Sequence, residues 1–285
     1  MSLNENCVVC GANVTSHKKS GDFLIVRCSQ CGLLHARAET AAPDLENFYQ
    51  ESYYHAEAGD KSGYFDYLGN EKNLRKNADN IFKIAEKYKA LNGLKALDIG
   101  CAQGFLLSEL RDKYKCDVHG VELSQYSANY AKEKFNLDVR TGILDGSQFA
   151  PETFDVVFII GTIEHLSDPV AVTKAAFSVL KKGGLFIITT IDTSGYFPLY
   201  SIKPPEHLFY FDHSNLNLML EKAGFHNVLT KTYFTRYLLH DLFERLYAFF
   251  RFPPFQWCSR LTRKVAPNFS VKIPTNEMIM IAGKR

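Results

Sequence analysis

Between residues 94 and 228, the chain alternates short apolar runs with longer segments whose apolar positions recur every three or four residues. The short runs predict buried strands, and the longer periodic segments predict amphipathic helices. The predicted strands of this region are LKALDIG, DVHGVEL, LDVRTG, FDVVFII and LFIITTID. Two further strands, HNVLTKTYF and EMIMIAGKR, are predicted towards the end of the chain.

The predicted helices lie between these strands and have recognisable ends. They are FLLSELRDKY, SQYSANYAKEKF, SDPVAVTKAAFSVLKKGG and DHSNLNLMLEKAGF. Ser124 and Asp168 are typical N-caps, Pro169 suits a first helical turn, and Gly183 is expected to follow a helix end. Strands that alternate with helices predict an α/β fold, here a doubly wound, Rossmann-like sheet of seven mostly parallel strands.

The first 31 residues contain four of the seven cysteines, arranged as two C-x-x-C pairs. The four are Cys7, Cys10, Cys28 and Cys31. This spacing is typical of a tetrahedral zinc site with thiolate ligands, and a redox dithiol is the alternative. Because four cysteines already complete such a site, His17 and His35 are expected at the surface. We therefore predict a small N-terminal zinc ribbon whose folding depends on the metal.

A segment rich in aromatic residues joins this ribbon to the α/β region. Its tyrosines are Tyr49, Tyr53, Tyr54, Tyr64 and Tyr67. A helical period follows from Lys72 to Leu91, with Leu74, Ala78, Ile81, Phe82 and Ala85 on one face. The sequence thus predicts a zinc ribbon over 1–40, an aromatic bridge with a helical lid over 41–92, and a core over 93–285.

The core is expected to contain an insertion at about 234–275. The segment TRYLLHDLFERLYAFFRF has apolar residues on one helical face and charged residues opposite, and basic and aromatic residues follow it. One interpretation is a cap packed on the core, and another is a dimer surface, so the oligomeric state stays open. A third is peripheral contact of residues 238–264 with a membrane, since basic and aromatic residues suit a bilayer interface.

Overall composition excludes several classes of protein. The formal net charge of +2 gives no global sign of a nucleic-acid partner. The polar start MSLNENCVVC is unlike a secretory leader, and no apolar run is long enough to span a bilayer. The odd number of cysteines argues against a disulfide framework, and we expect a cytoplasmic protein.

The loop after the first core strand, Gly100-Cys101-Ala102-Gln103-Gly104, is the main indication of the ligand. Open α/β sheets bind ligands at the carboxyl ends of their strands, and a dinucleotide site there needs G-x-G-x-x-G. This loop lacks the middle glycine. S-adenosylmethionine has no phosphate, and it needs an open turn plus a carboxylate for its ribose hydroxyls. Glu122, at the end of the second strand, offers that carboxylate.

At these motifs the sequence resembles the class I S-adenosylmethionine-dependent methyltransferases. LDIGCAQGFLL is similar to the family's first motif, GVELSQYSANYA to its second-strand motif, and FDVVFIIGTIEHLSDPVAVTKAAFSVLKKGGLFIITT to its fourth- and fifth-strand block. PPEHLFYFDHSNLNLMLEKAGF resembles the substrate-side segment of the branch that acts on sugars, quinones and other small molecules. N-terminal zinc ribbons are known both in deoxysugar methyltransferases and in ribosomal RNA guanine methyltransferases.

By position, the resemblance implies a cofactor pocket formed by residues that follow the core strands. These are Asp98, Gly100, Cys101, Gly104, Phe105, Glu122, Leu123, Ile143, Leu144 and Gly161. Asp98 would face the methionine end, while Glu122 and Leu123 would flank the ribose and adenine. The family often has an Asp after the third-strand glycine, but here Ile143 follows, so its backbone or a stacked Leu144 would take the adenine contact. Tyr54 would belong to a lid, and the alternative is that the tyrosines pack the bridge onto the core.

Methyl transfer to a hydroxyl or amine also needs a proton acceptor, and a histidine is the usual one. His165 and His207 are the candidates, although either could simply tie a loop to the backbone. Glu206 is expected to be a loop carboxylate. The leading hypothesis is transfer to a small hydroxylated metabolite such as a sugar. The alternatives are an RNA methyltransferase that grips RNA with the ribbon, which the sparse basic residues there disfavour, and a non-catalytic cofactor-binding protein.

Overall fold

The computed structural model describes residues 6–38, 44–55, 63, 66–195 and 202–285. The first elements are three antiparallel strands, β1 (Val14–Ser20), β2 (Phe23–Cys28) and β3 (Leu34–Ala38). Tight turns beside the cysteine pairs require positive φ angles, which Gly11 and Gly32 adopt at 82° and 74°. This part of the chain forms the ribbon that the cysteine spacing predicts.

Two helices follow the ribbon, α1 (Leu45–Phe48) and α2 (Glu71–Ala85), with a 3-10 turn over Glu51–His55. The helix that the pattern predicts after Lys72 is confirmed, although it ends earlier than Leu91. Its apolar face is buried through Ala78, Ile81, Phe82 and Ala85. Tyr64 and the expected boundary at residue 40 lie outside the described residues.

The main sheet has seven strands and contains every strand predicted for the core. The first five are β4 (Lys95–Ile99), β5 (Asp117–Glu122), β6 (Asp138–Thr141), β7 (Phe154–Ile160) and β8 (Leu180–Ile191). They run parallel in the order β6-β5-β4-β7-β8. Helices α3 (Phe105–Tyr114), α4 (Gln125–Phe135) and α5 (Pro169–Val179) connect them. The predicted doubly wound, mostly parallel fold is therefore confirmed.

The central strands of this sheet are buried on both faces, as their apolar sequences predict. In β7 the side chains of Val156, Val157, Phe158 and Ile159 are all inaccessible to solvent. A strand between two parallel neighbours loses both faces to helices, which explains an unbroken apolar run instead of alternation.

The observed N-caps of α4 and α5 are the predicted ones, whereas α5 ends earlier than predicted. The hydroxyl of Ser124 accepts a hydrogen bond from the Ser127 N–H, and the carboxylate of Asp168 accepts one from Ala171. The prediction that α5 continues to Gly183 is wrong, because the backbone is already extended at Leu180. That residue pairs with Phe154 of β7, and strand pairing therefore decides where the helix ends.

A small strand of the core completes the N-terminal sheet. β9 (Phe209–Tyr210) pairs antiparallel with β3, with Leu34 opposite Tyr210 and His35 opposite Phe209. The N–H of Ala36 also donates to the carbonyl of Leu208 at 2.8 Å. The ribbon is thus joined to the core by backbone hydrogen bonds.

The last elements are α6 (His213–Lys222), β10 (His226–Leu238), α7 (Leu239–Phe250), α8 (Pro253–Val265) and β11 (Ser270–Gly283). β11 pairs antiparallel with β8, and β10 pairs antiparallel with β11 at the edge of the sheet. The insertion is a pair of helices, α7 and α8, between these two long strands. No helix in the described ranges has the length and apolarity needed to cross a bilayer.

Candidate active site

Two adjoining cavities lie at the carboxyl ends of the parallel strands. The first is lined by the loops that follow β4, β5, β6 and β7, together with tyrosines of the aromatic bridge. The second extends from the β4 loop towards β8 and the segment before β9. Both cavities are lined by Gly100, Gly161 and His165, so a ligand in one would reach the boundary of the other. Topology places a binding site here because parallel strands leave a crevice where their order reverses.

The glycine loop after β4 is shaped by close approach to the loop after β7. Gly100 has φ of 75°, and a Cβ there would lie 2.4 Å from the Thr162 methyl. Any larger residue at this position would push the two walls of the first cavity apart. Gly104 lines neither cavity; a Cβ there would lie 2.6 Å from Leu137, so this glycine permits α3 to pack closely. The sequence prediction placed Gly104 in the pocket loop, and its observed role is helix packing.

Glu122 is held rigidly in the wall of the first cavity. One carboxylate oxygen accepts a hydrogen bond from the Ala102 N–H and the other from the Ser124 N–H, both at 2.8 Å. Burial raises the pKa of this carboxyl, while the backbone N–H groups lower it and partly offset the effect. Each oxygen keeps a second lone pair, so Glu122 can still accept hydrogen bonds from ligand hydroxyls.

The remaining predicted residues of the first cavity also lie in its wall. Leu123, Ile143 and Leu144 line it beside Glu122. Ile143 is half-exposed at 39%, whereas Leu144 is buried at 1%, so Leu144 is the fixed apolar surface.

Tyrosines close the first cavity from the side of the bridge. Tyr49, Tyr53, Tyr54 and Tyr67 all line it. Successive rings meet edge to face, with centroids 4.8 Å apart for Tyr49 and Tyr53 and 5.3 Å apart for Tyr53 and Tyr54. Tyr54 therefore both packs the bridge and borders the cavity, and the two interpretations of the sequence apply together.

Asp98 lies in the second cavity with an unsatisfied carboxylate. Its side chain is only 3% exposed, and Oδ1 has no hydrogen-bond partner among the described residues. Burial, reinforced by the nearby Glu122 carboxylate, raises the pKa of Asp98 well above its ordinary value. A buried carboxylate without a partner is costly, and a bound cation would remove that cost. Cys101 and Phe105 line the same cavity, and burial raises the pKa of the Cys101 thiol, which is therefore neutral.

His165 and His207 meet at the border between the cavities. Their ring centroids are 4.8 Å apart, and the rings are nearly perpendicular. His165 Nδ1 lies 2.7 Å from the carbonyl oxygen of Glu206 and 2.8 Å from the Tyr49 hydroxyl. Since a carbonyl can only accept, Nδ1 carries the proton, and Nε2 keeps a free lone pair. Burial lowers the pKa of His165 to about 4, so the ring is neutral near pH 7.

Four polar residues that sequence reasoning did not assign to the site, Glu164, Thr190, Lys203 and Glu206, line the second cavity with these histidines. Glu206 is 4% exposed, accepts a hydrogen bond from the Tyr53 hydroxyl at 3.0 Å, and pairs with Lys203 at 3.0 Å. Glu206 lies in a loop turn, as expected, but its burial and its two partners were not foreseen. Glu164 accepts a hydrogen bond from Thr190 at 2.9 Å, and burial raises its pKa to about 7. The adjacent E-H pairs, Glu164-His165 and Glu206-His207, were the available signal.

The histidines and Glu164 also form a group with the composition of a metal site. Ligand atoms of Glu164, His165 and His207 lie within 4.8 Å of one another. The hydrogen bonds of His165 Nδ1 and of Glu164 account for the arrangement without a metal.

The four N-terminal cysteines converge as the spacing predicts. Their sulfur atoms lie within 4.8 Å of one another, with Cys7 and Cys31 3.6 Å apart and Cys10 and Cys28 3.3 Å apart. Tetrahedral zinc with Zn–S bonds of about 2.3 Å needs sulfur separations of this order. Burial raises the pKa of Cys28, but N–H groups of Cys31 and Gln30 outweigh it and lower the pKa to about 6.

The two histidines near the ribbon differ from each other. His17 is exposed as expected, whereas the prediction of a surface His35 is wrong. His35 is 6% exposed and stacks on Phe209 with centroids 5.8 Å apart. The reason is the pairing of β3 with β9, which the local sequence does not reveal.

Comparison with known families agrees with this geometry. A family model described as a methyltransferase domain matches residues 69–230, which is more than half of the 285 residues. The chain belongs to this family. The matched region contains β4 to β9 and most of the lining of both cavities. The lining residues outside it are those that precede residue 69 and those that β10, α7 and β11 contribute.

Within the family, named relatives are similar over part of their length. A ubiquinone biosynthesis O-methyltransferase of Coxiella burnetii is 29% identical over 132 residues, covering 45% of this chain and 56% of the relative. The enzyme of the same name from Neisseria meningitidis serogroup C is 27% identical over 159 residues, covering 53% and 64%. The chain thus spans roughly half of the length of these relatives.

Solved structures share the fold at low sequence identity. YcgJ from Bacillus subtilis aligns with a TM-score of 0.53 at 13% identity, over 73% of this chain and 98% of YcgJ. The [4+2]-cyclase SpnF aligns with a TM-score of 0.54 at 19% identity, over 74% and 81%. Because one of these neighbours is described as a cyclase, the methyltransferase fold does not by itself determine the reaction.

Proposed function

We propose that this protein transfers the methyl group of S-adenosylmethionine to a hydroxyl group of a small molecule. The observation that carries this proposal is the pair of adjoining cavities with Asp98, Glu122 and the two histidines at their walls. Membership of the methyltransferase family supplies the reaction class. The domain division and the residue roles given below are part of the same proposal.

The chemistry of the cavity walls fits this cofactor. Asp98 is a buried carboxylate without a partner among the described residues, which suits the ammonium group of the methionine part. Glu122 has free lone pairs for the ribose hydroxyls, and Leu144 offers a buried apolar surface to the adenine. The tyrosines over the first cavity present aromatic faces that favour a cationic sulfonium.

The methionine end of the cofactor would enter the second cavity at Asp98, and the acceptor is assigned to the part of that cavity that is formed by the loop after β7, by β8 and by the segment before β9. Its wall carries hydrogen-bonding side chains beside the histidines, namely Glu164, Thr190, Lys203 and Glu206. Such a wall suits a ligand with several hydroxyl groups. The relatives are named as O-methyltransferases of ubiquinone biosynthesis, which supports a hydroxyl acceptor. A sugar or sugar-derived acceptor is the narrower form of the proposal.

Proton removal is assigned to the His165–His207 pair. Bound S-adenosylmethionine would supply an electrophilic methyl group on a leaving thioether, so the protein mainly has to position the acceptor and take its proton. The neutral His165 ring, held through Nδ1 by Tyr49 and Glu206, can take up the acceptor proton at Nε2. The ring centroid of His207 lies 4.8 Å from that of His165, so His207 could orient the same acceptor hydroxyl or act as the base itself.

We further propose that the four cysteines hold one structural zinc ion. The convergence of their four sulfur atoms supports this assignment. The metal would lie in the ribbon, and β3 would connect it to the core through β9. A zinc ion at this place stabilises the fold and has no contact with the acceptor.

The test is methyl transfer from labelled cofactor to a panel of hydroxylated small molecules, with ribosomal RNA as a comparison. We expect label in a small hydroxylated compound. His165→Gln and His207→Gln should be tested separately, and loss of the base should lower kcat by about 10² or more. His119→Gln, within β5 and in the wall of neither cavity, is the matched control and should leave kcat unchanged. Labelled RNA, or cofactor binding without any transfer, would contradict the proposal.

A further inference from the structure

The helical pair α7–α8 projects from the edge of the main sheet. Its two helices are joined to each other by ring contacts of Phe255 with Phe243 at 6.5 Å and with Phe250 at 6.3 Å. A buried hydrogen bond from Ser259 to the Glu244 carboxylate, at 2.7 Å, fixes their register. The pair is therefore a defined unit and not a loose loop.

A helix that caps a core normally buries its apolar face. In α7, residues of the polar face are the most buried of the described ones. His240 and Glu244, on its polar face, are 8% and 7% exposed. The opposite, apolar face is only half-buried in the described side chains, and Phe250 at its end is 60% exposed. The cap packed on the core, one of the interpretations of the sequence, therefore stays a prediction, because the described part of the apolar stripe is half-buried.

Large apolar side chains accumulate at the free end and on the outer face of this pair. They are Phe250 (60% exposed), Phe252 (54%), Trp257 (63%), Leu261 (42%), Val265 (67%) and Phe269 (55%). Trp257, Leu261 and Val265 follow one another at four-residue spacing, so they share the outer face of α8. Single exposed apolar residues are ordinary, but a contiguous group of this kind marks an interaction surface.

Charge identifies the partner. From Arg245 to Asn276 the chain has six basic residues and no acidic residue, although the whole protein has a net charge of only +2. Arg260 and Lys264 are exposed on the same face of α8 as Trp257. A surface that combines aromatic rings with basic side chains matches an anionic bilayer, where rings enter the headgroup layer and bases meet phosphates.

We propose that the outer face of α8 and the aromatic end of α7–α8 bind the surface of an anionic lipid bilayer. A two-fold contact between copies of the chain through this face is disfavoured, because it would bring the basic surface of one copy against the same basic surface of the other. Tyr237 and Arg245, at the base of the pair, line the second cavity. Bound in this way, the protein would hold its second cavity close to the membrane surface.

Trp257 is the single tryptophan of the chain, so its fluorescence reports directly on this surface. We expect a blue shift and co-sedimentation with vesicles of phosphatidylglycerol and phosphatidylcholine, and much weaker binding to phosphatidylcholine alone. Phe252→Ser and the double variant Arg260→Gln/Lys264→Gln should each weaken binding by about tenfold or more. These positions are exposed, so the fold should be retained, which circular dichroism checks.

Matched controls distinguish binding through this surface from a general effect of positive charge or of exposed apolar side chains. Lys132→Gln/Lys134→Gln removes two exposed bases from α4, and Tyr88→Ser removes an exposed ring far from α8; neither should change vesicle binding. Absence of vesicle binding would overturn the proposal. A blue shift that depends on protein concentration without lipid, together with a dimer mass, would overturn it in favour of self-association. Both readouts are independent of methyl transfer.

Discussion

Asp98 is the residue whose surroundings say most about the ligand. Its carboxylate is buried, close to Glu122, and Oδ1 lacks a partner in the described part of the chain. Two carboxylates buried together destabilise each other unless a positive group joins them. The two carboxyl groups therefore favour binding of a cationic ligand, and the ammonium group of an amino-acid moiety would be such a ligand.

Replacing Asp98 should therefore weaken cofactor binding specifically. We expect Asp98→Asn to raise the Kd for S-adenosylhomocysteine by about tenfold or more, because a charge-assisted contact to the ammonium group is lost. Isothermal titration calorimetry measures this directly. Thermal stability should not fall, since removing an unpaired buried charge costs nothing. Asp117→Asn, at the exposed amino end of β5, is the control. Equal Kd values for Asp98→Asn and wild type would remove Asp98 from the cofactor site.

His165 should leave a signature in the pH dependence of stability. Its pKa in the folded protein is about 4, below the ordinary 6.5, because burial disfavours the imidazolium form. Between pH 6.5 and 4 the unfolded chain therefore binds more protons at this residue, and the free energy of unfolding falls as the pH falls. The contribution is at most about 3 kcal/mol. His165→Gln should lose less stability than wild type over this range in urea titrations.

The comparison between variant and wild type matters because other groups titrate in the same range. The pKa of His35 is also lowered to about 4, mainly by burial, which adds to the slope. The pKa of Glu164 is raised to about 7, which has the opposite effect. His17→Gln, at an exposed position, should give the wild-type profile. An unchanged profile in His165→Gln would show that this ring is not buried as a neutral base.

At the scale of elements, short-range signals were sufficient for most of the core. The apolar run of β7 and the N-caps Ser124 and Asp168 are set by residues within a few positions, and each is confirmed. Local sequence signals failed where the conformation or burial of a residue depends on a partner that is distant in the sequence. Leu180 is extended because it pairs with Phe154, and His35 is buried because Phe209 lies opposite it. Glu206 belongs to the site only because the fold brings Tyr53 and Lys203 to it.

The cap of α5 gives a prediction at this scale. Asp168 accepts a hydrogen bond from the Ala171 N–H at 2.9 Å, and its charge also suits the positive helix end. Asp168→Ala should lower the free energy of unfolding by about 0.5–2 kcal/mol. Asp168→Asn keeps an accepting oxygen and should lose less. Chemical denaturation of the three proteins tests this, and identical midpoints would show that the cap contributes nothing.

At the scale of the whole molecule, backbone hydrogen bonds join the ribbon to the side of the second cavity that we assign to the acceptor. β3 pairs with β9, and the Leu208 N–H, just before β9, donates to the carbonyl of Glu164 at 2.8 Å. His207 therefore sits between the ribbon and the loop that carries His165. The first cavity, by contrast, is lined by the loops of the main sheet and, from the bridge, by Leu45, Tyr49, Tyr53, Tyr54 and Tyr67. Unfolding of the ribbon should consequently disturb the second cavity more than the first.

Loss of zinc should separate methyl transfer from cofactor binding. In Cys10→Ser/Cys31→Ser we expect no bound zinc, a lower Tm, and a kcat reduced by about tenfold or more because His207 is displaced. The Kd for S-adenosylhomocysteine should change by less than about threefold, since a displacement at one site leaves the other site's contacts intact. Cys258→Ser removes a half-buried thiol of α8 and should retain zinc, kcat and Kd. Parallel loss of transfer and cofactor binding would instead mean that the ribbon supports the whole fold, and unchanged kcat would show that β3 does not position the acceptor side.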